Sequence, residues 1–342
     1  MAKEAQGLKK RPTVADVARA AGVSMMTVSR AINNKPGLSD ELRQKILALA
    51  EQMGYRPSQI AQGLATRQTC SIGLVVPDIT NPFYAPIARG AEDVAYEYGY
   101  SVFLINTIGS AEREAVALDS LWRKAIDGAI LCSLRPPADA LEASVARFPA
   151  AVLFNCELKR PLPNVVTINV NDQRGAQEAV EYLLSSGRRQ IAYLTGPSNS
   201  FSNQRRLEGY RQALKNAGLP FDPQLVEAVQ FSDIHTSSQA AVKALLARRP
   251  AVDGLFAFND LVAISAMQTC QELGKAVPGD IAVIGADDIP LAAIVRPQLS
   301  TLHVNLTHVG RLAMRTLLEL FAGEASSASY QIEPELILRE ST

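Results

Sequence analysis

Residues 13–33 read TVADVARAAGVSMMTVSRAIN, and this stretch predicts two short helices joined by a tight turn. Thr13 and Asp16 have the spacing of an N-terminal capping pair, and four apolar residues then recur at the spacing of one helix face. These are Val14, Val17, Ala18 and Ala21. Gly22 follows where a sharp turn needs a positive φ, and Ser24 is a suitable N-cap for a second helix.

The predicted second helix has two chemically different faces. The residues that can face inward are Val28, Ala31 and Ile32. The residues on the other side are Met25, Met26, Ser29, Arg30 and Asn33. A helix that presents an exposed arginine and two exposed methionines, supported by a shorter partner helix, suits the major groove of DNA. Spacing alone is also compatible with an ordinary hairpin of two helices.

Two motifs add to this spacing. D-V-A-x-x-A-G-V-S at 16–24 and T-V-S-R-x-I-N at 27–33 resemble the helix-turn-helix headpiece of the LacI/GalR family of transcriptional repressors. The resemblance implies that a homodimer binds double-stranded, pseudopalindromic operator DNA. The DNA contacts that it implies are Thr13, Ser24, Met25, Met26, Thr27, Ser29, Arg30, Asn33, Tyr55, Ala61 and Leu64.

A predicted headpiece spans residues 12–57, and a predicted hinge helix and linker span residues 58–70. The run SQIAQGLAT at 58–66 is too short for a stable isolated helix in water, so without DNA we expect a flexible linker. It also resembles the family's hinge, G-Y-x-P-x-x-x-A-x-x-L, which folds on DNA and inserts a leucine into the minor groove. Leu64 occupies the matching position, and such an apolar wedge bends DNA. Ser58 and Gln62 depart from the residues that many members have.

The charges of the chain are unevenly distributed, although the formal net charge is zero. Of the 34 Lys and Arg residues, 11 lie in residues 1–67, whereas only five of the 34 Asp and Glu residues do. A basic N-terminal part on an acidic remainder indicates an anionic partner for the N-terminal part only.

The whole sequence restricts the class of protein further. A length of 342 residues indicates two or three domains. No run of about 18 apolar residues is present, and the N-terminal MAKEAQGLKKR has no apolar signal segment. We therefore expect a cytoplasmic protein without a membrane partner. The four cysteines, Cys70, Cys132, Cys156 and Cys270, and the three histidines are scattered, so we expect reduced thiols, no metal site and no cofactor.

After residue 70, short apolar runs alternate with longer helical patterns. The strand candidates include Ile72–Val76, Val102–Ile105, Ala129–Cys132, Val152–Phe154, Ile191–Leu194, Leu255–Phe258 and Ile281–Ile284. Nearly continuous apolar strands with intervening helices predict parallel βαβ units. The pattern runs through two similar blocks, about 71–168 and 170–298. It therefore predicts two doubly wound α/β lobes with a ligand cleft at the carboxyl ends of the strands.

This region resembles the family's effector-binding core, which has the periplasmic-binding-protein type I fold. The matching pieces are IGLVVPDITNPFYAPIARGAED at 72–93, NDQRGA at 171–176, FNDLVAISAM at 258–267 and IAVIGADDIPLAAIVRPQLSTL at 281–302. The resemblance implies a core over 71–342. Lobe one would comprise about 71–169 and 300–329, including a helix at 305–321, and lobe two about 170–299 and 330–342.

The same resemblance implies a set of effector contacts. They are Asn81, Phe83, Cys132, Asn155, Arg206, Phe231, Asn259 and Asp287. Amide, guanidinium and carboxylate groups suit the hydroxyls of a polyol, and the two phenylalanines offer flat faces to a sugar ring. Alternatively, the phenylalanines and Cys132 pack in the core, and Asp287 forms a structural bridge with Arg206. Arg206 also suits a carboxylate or a phosphate.

These observations predict a dimeric repressor of carbohydrate-utilisation genes that a sugar or sugar acid releases from DNA. Asn155, Asn259 and Asp287 suit hydroxyls better than a purine ring, but the family also contains regulators activated by a purine-type corepressor or by a partner protein. A free sugar-binding protein is the rival from another class, and the basic headpiece argues against it. An enzyme is disfavoured because no GxGxxG, Walker A or GxSxG motif is present. No heptad tail follows the last predicted strand before Thr342, so we expect a dimer.

Overall fold

A computed structural model of the chain describes residues 12–56, 68–231, 233–324 and 329–342. The chain divides into two compact units, residues 1–69 and residues 70–342. The fold class predicted from the sequence is confirmed, because the first unit is helical in its described part and the second is built on parallel sheets. No helix in the described ranges is long and apolar enough to cross a membrane.

The first unit contains three helices in its described residues. They are α1 (Val14–Ala21), α2 (Met25–Ile32) and α3 (Asp40–Gln52). Thr13 and Asp16 form the predicted capping box, with the Thr13 hydroxyl 2.7 Å from Asp16 Oδ2. Gly22 has φ +68 in the turn between α1 and α2, and Ser24 accepts the backbone N–H of Thr27 at the start of α2. These caps place two short helices at a fixed turn.

A small core and one arginine hold the three helices together. The buried residues of this core are Val17, Ala18, Val28, Ala31, Ile46 and Ala50. Arg43 on α3 donates from its guanidinium to the carbonyl oxygens of Ala31 and Lys35, at 3.4 and 2.9 Å. The Ala31 carbonyl lies in the last turn of α2, where backbone acceptors lack partners within the helix, and the Lys35 carbonyl lies in the turn that follows. Arg43 therefore fixes the end of the helix that we expect to enter DNA.

The first lobe of the second unit is a six-stranded parallel sheet in the order β11-β5-β4-β3-β1-β2. Its strands are β1 (Ser71–Val76), β2 (Ser101–Asn106), β3 (Gly128–Cys132), β4 (Ala151–Phe154), β5 (Val165–Val170) and β11 (Tyr330–Ile332). The helices between or against these strands are α4 (Tyr84–Glu97), α5 (Ala111–Arg123), α6 (Ala138–Val145) and α11 (Leu306–Ala322). Buried aliphatic side chains cover both faces of the sheet.

Helices α4 and α11 cross very closely in this lobe. A Cβ at Gly90 would overlap the carbonyl oxygen of Thr307, and one at Gly310 would overlap that of Ile87. Each of these glycines therefore faces the backbone of the other helix, and a larger residue at either position would push the two helices apart. The buried residues Val309, Ala313, Met314 and Leu317 join α11 to the core of this lobe.

The second lobe is a four-stranded parallel sheet in the order β7-β6-β8-β9. Its strands are β6 (Ile191–Thr195), β7 (Val226–Ala228), β8 (Gly254–Ala257) and β9 (Ala282–Ile284). Its α-helices are α7 (Asp172–Ser185), α8 (Phe201–Asn216), α9 (Ile234–Arg248) and α10 (Asp260–Glu272), and two 3₁₀ turns lie at Pro223–Leu225 and Pro290–Ala293. Two buried clusters, one on each face of the sheet, form the core.

Hydrogen bonds move two of the expected lobe boundaries. Strand β10 (Thr301–His303) pairs antiparallel with β12 (Glu335–Ile337), and the Leu302 carbonyl accepts the backbone N–H of Asp287 at 2.9 Å. Residues 300–303 therefore bond to the second lobe rather than the first. Conversely, β11 lies in the first lobe rather than the second, because it pairs with the otherwise open edge of β5.

Candidate DNA-recognition helix and effector cleft

Helix α2 presents an exposed face within the headpiece unit. Its exposed side chains, with the N-cap residue, are Ser24, Met25, Met26, Ser29 and Arg30. Met25 and Met26 are 56% and 67% exposed, whereas Val28 and Ala31 on the opposite face are buried. Large exposed apolar side chains next to a cation indicate a contact surface rather than a solvated one.

Several predicted DNA contacts also hold the helix ends in place. Thr13 caps α1, and Ser24 Oγ accepts the Thr27 backbone N–H at 3.1 Å. Asn33 Nδ2 donates to the Ser29 carbonyl oxygen at 2.9 Å. Removing these side chains would therefore alter the helices as well as any contact with DNA.

The other three predicted DNA contacts are Tyr55, Ala61 and Leu64, which lie C-terminal to α3. Tyr55 is half-buried and packs against the headpiece core. Ala61 and Leu64 lie outside the described residues. The role of every one of these side chains on DNA stays a prediction.

A cavity of about 630 Å³ lies at the carboxyl ends of strands from both sheets of the second unit. The predicted effector residues that line it are Asn81, Phe83, Asn155, Arg206, Phe231, Asn259 and Asp287. The first three come from loops after β1 and β4, and the other four come from α8 and the segments after β7, β8 and β9. Both lobes thus contribute polar groups to one cavity, whose size is typical of small-molecule sites.

The chain turns sharply where several of these strands end. Ser133 and Asn155, each directly after a strand, have φ +50, and Asp287 has φ +115. A positive φ is unfavourable for residues other than glycine and is concentrated at ligand sites. The strand ends are therefore shaped to turn these side chains toward the cleft.

Three asparagines present amide N–H groups in the cavity wall. Their Oδ1 atoms accept backbone N–H groups, Asn81 from Phe83, Asn155 from Val170 and Asn259 from Val262, each at 3.0 Å. Because a backbone N–H is a donor, the side-chain atom that meets it must be the oxygen, and this fixes each amide. The described residues give their Nδ2 groups no acceptor, so three oriented donors remain in the cavity wall.

Arg206 lies at the centre of a buried charged group. Its Nε donates to Asp172 Oδ1 at 2.8 Å, and its Nη2 lies 3.5 Å from Asp287 Oδ1. Its Nη1 donates to the carbonyl oxygen of Phe258, whose ring centroid is 5.1 Å from the guanidinium carbon. Two carboxylates thus face one guanidinium. Arg206 forms the ion pair with Asp287 that the sequence analysis gave as an alternative to ligand binding, and it also lines the cavity.

Burial disfavours the charged forms of both carboxylates in this group. Burial raises the pKa of Asp287 to about 7, although the nearby Arg206 opposes that shift. Asp172 Oδ2 is buried and has no hydrogen-bond partner among the described residues. One guanidinium therefore does not fully compensate two buried carboxylates.

Asp260 is a further buried acid behind this wall. Burial raises its pKa well above the usual value, and its oxygens accept hydrogen bonds from the Thr301 hydroxyl and the Ile289 backbone N–H. It belongs to the packing of the second lobe and does not line the cavity.

The aromatic side chains serve the core and the cavity together. Phe83 is 7% exposed and stacks on Phe154, with ring centroids 6.1 Å apart. Phe231 meets Phe258 edge to face at 5.3 Å. Both predicted phenylalanines therefore present a part of their rings to the cavity while the rest packs against protein.

Cys132 does not line the cavity, and this expectation is corrected. It is fully buried in the first-lobe core as the last residue of β3. The next residue, Ser133, lines the cavity instead. Successive strand residues point to opposite faces, so a shift of one position separates a core residue from a cleft residue.

Other residues that line the cavity were not predicted from the sequence. Tyr84, Ser133, Arg135 and Phe258 are the ones whose chemistry matters most here. Ser133 directly follows a predicted strand, Phe258 is the last residue of another, and Tyr84 is the first residue of α4. Among the described residues, no group of three or more His, Cys, Asp or Glu side chains could hold a metal ion.

A helix-turn-helix unit joined to a two-lobed ligand-binding core defines the class of the protein. Residues 13–58 match the family described as bacterial regulatory proteins, lacI family. Residues 69–340 match the family of periplasmic binding proteins and the sugar binding domain of the LacI family. The chain therefore belongs to the LacI family of bacterial regulatory proteins, and the resemblance found in its sequence is confirmed.

Individual relatives match over nearly their whole length. Catabolite control protein A of Priestia megaterium is 33% identical over 334 residues, which are 96% of this chain and 99% of that protein. The ribose operon repressor of Halalkalibacterium halodurans is 33% identical over 332 residues, 96% and 97% of the two chains. The crystal structure of the lac repressor dimer bound to operator and the anti-inducer ONPF has TM-score 0.84 and 26% identity, and covers 97% of this chain and 99% of that one. The predicted DNA-binding regulator with a small-molecule effector is thereby confirmed.

Proposed function

We propose that this regulator acts as a cytoplasmic homodimeric repressor of carbohydrate-utilisation genes, and that a sugar or sugar acid in the cleft releases it from its operator. The observation that carries the proposal is a single cavity to which both lobes contribute oriented polar groups, Asn155 from one lobe and Arg206 and Asp287 from the other. A ligand held from both sides favours one arrangement of the lobes over another.

The chemistry of the cavity suits a hydroxylated ring. Three fixed amide donors, the Asp287 carboxyl and the Ser133 hydroxyl can bind hydroxyl groups. Phe83 and Phe231 add apolar surface for the ring carbons. A planar purine would leave several of these donors without acceptors, so we favour a polyol.

The proposed DNA contact follows from the exposed face of α2. Each headpiece is large enough to read only a few base pairs, so a two-fold dimer on a pseudopalindromic operator supplies the specificity. Arg30 suits a bidentate contact with guanine, and the methionines suit thymine methyl groups and groove shape. The lac repressor structure, described as a dimer bound to operator, supports this assembly.

Fluorescence anisotropy with an operator selected from random DNA tests the proposal. Sugars, sugar acids and purines are first screened by calorimetry, and the operator affinity is then measured with the best ligand. We expect that ligand to weaken operator binding roughly 5- to 150-fold, the usual range of coupling between two sites. A purine that strengthens operator binding would overturn both the ligand class and the direction of the response.

A pair of variants links the response to the cleft. Phe231→Ala removes a ring from the cavity wall, whereas Phe221→Ala removes a partly exposed ring of the same lobe away from the cavity. We expect the ligand response to weaken in the first variant only. An equal response in both variants would place the ligand elsewhere.

A further inference from the structure

Arg135 is a second arginine of the cleft, and it lies in the wall formed by the first lobe. It follows β3, and its backbone N–H donates to the buried carboxylate oxygen Glu114 Oε2 at 2.9 Å. Its guanidinium is anchored by Nη1, which donates to the Gly109 carbonyl oxygen at 3.1 Å. The backbone and the guanidinium of Arg135 are thus each held by one hydrogen bond within the cavity wall.

Gly109 leaves the space that the guanidinium occupies. A Cβ at this position would lie 2.8 Å from Arg135 Cζ, which is closer than real side chains approach. Gly109 also has φ +63, a backbone conformation that glycine adopts without strain. The loop after β2 therefore leaves room for the guanidinium beside the Gly109 carbonyl oxygen, where one hydrogen bond holds it.

The two arginines of the cavity differ in how their charge is compensated. Arg206 has Asp172 and Asp287 within 4.0 Å. In the described part of the chain no carboxylate comes within ion-pair distance of the Arg135 guanidinium, although the carboxylate of Glu114, which accepts the Arg135 backbone N–H, lies near enough to interact with its charge. Among the described residues, Nε and Nη2 of Arg135 have no protein acceptor. Asp78, the other acid of the cavity wall, instead accepts the hydroxyl and backbone N–H of Thr80.

A guanidinium with two available nitrogens is complementary to an oxyanion. Nε and Nη2 can donate in parallel to two oxygens of a carboxylate or a phosphate. Tyr84 and Ser133 line the same wall with their hydroxyls hydrogen-bonded to each other, so together they leave one O–H that can donate to a ligand. The sequence suggested Arg206 for this role, but Arg206 already meets two carboxylates.

We propose that the effector carries a carboxylate or phosphate group and that Arg135 binds it, which makes Arg135 the residue that selects an anionic effector over its neutral parent sugar. This inference rests on the proposed function of the cleft. It specifies an anionic effector, a sugar acid or a phosphorylated sugar, in place of the neutral sugar that the proposed function also allows.

Calorimetry on the full chain without DNA tests the inference. The probes are matched series, namely ribose, ribonate and ribose 5-phosphate, then glucose, gluconate and glucose 6-phosphate, with inorganic phosphate added alone. We expect one anionic compound to bind roughly 10- to 100-fold more tightly than its neutral parent, the contribution of a charge-assisted pair of hydrogen bonds. Preference for the carboxylate or for the phosphate identifies the source of the oxyanion.

Variants separate direct binding from a general effect of charge. Arg135→Gln should reduce the anion preference to about twofold or less, with affinity for the neutral parent retained. Arg113→Gln removes the same charge from an exposed position of α5, outside the cavity, and should leave the preference unchanged. Gly109→Ala keeps the charge but displaces the guanidinium, so it should weaken the preference if geometry matters. Circular dichroism verifies that each variant is folded.

The outcomes distinguish this inference from the function on which it rests. The inference is overturned if neutral and anionic compounds bind equally, or if no compound binds. It is also overturned if Arg135→Gln keeps the full preference for the anion. A neutral sugar that releases the operator without any anion preference overturns the inference alone. An anion preference lost in Arg135→Gln, with no effect of the ligand on operator binding, supports the inference and overturns the proposed function.

Discussion

Asp287→Asn should stabilise the core of this protein at neutral pH. Burial raises the pKa of Asp287 to about 7 from an ordinary value of 3.8. Between these values the folded protein holds a proton that the unfolded chain has released, so the free energy of unfolding falls as pH rises through this window and levels off above it. Asparagine carries no charge and removes this penalty, while Asp172 remains as the partner of Arg206.

The magnitude follows from the size of the shift. Each unit of pKa corresponds to about 1.4 kcal/mol, so the full shift sets an upper limit of roughly 4 kcal/mol. The Arg206 contact that the variant weakens, at 3.5 Å, offsets part of this gain. We expect a net stabilisation of about 1–3 kcal/mol at pH 8 that disappears near pH 4.

Urea unfolding of the wild type and Asp287→Asn between pH 4 and 8.5 measures the effect. The difference between the two proteins reports the loss of Asp287 together with the response of Asp172, which interacts with it beside Arg206. Asp172→Asn is the matched comparison. It removes the carboxylate 2.8 Å from Arg206 and should destabilise the protein. The reasoning is refuted if the wild type has the larger free energy of unfolding at pH 8, or if the difference between the two proteins does not change with pH.

The remaining predictions concern DNA readout and packing. Arg30→Ala should cost roughly 1–3 kcal/mol at one base pair of each half-site in a binding-site selection, whereas uniform weakening on all sequences would assign Arg30 to a phosphate. Gly310→Ala should destabilise the core by several kcal/mol in urea unfolding, since its Cβ would overlap the Ile87 carbonyl oxygen of α4, and an unchanged midpoint would contradict that close crossing. Thr13→Ala should lower the thermal stability of the headpiece by about 1 kcal/mol through the lost cap, while Thr13→Ser should restore most of it.

The headpiece could be predicted from sequence because its determinants are local. The Thr13–Asp16 pair, Gly22 and Ser24 each act within three or four residues, and the structure places all of them as predicted. The parallel sheets could also be predicted from the sequence, because buried strands form continuous apolar runs. Strand β11 was assigned to the wrong lobe, because its three residues carry no pattern that reveals which sheet edge they join.

The cleft was only partly predictable because its chemistry depends on distant contacts. Seven of the eight effector contacts that the family resemblance predicted line the cavity. The eighth, Cys132, points into the core instead, and the next residue along the chain lines the cavity. Arg135 gave no local signal. Its availability depends on Gly109, 26 residues earlier in the chain, and on the carboxylates that instead meet Arg206.

The reciprocity of ligand and operator binding tests the central claim most directly. If effector and DNA act on one equilibrium between lobe arrangements, the factor by which the ligand weakens operator binding must equal the factor by which the operator weakens ligand binding. Calorimetric titration of the ligand into the free protein and into the preformed operator complex measures the second factor. We predict weaker ligand binding by the complex, by the same factor that anisotropy gives for the operator. Equal ligand affinity in the two titrations would contradict the account.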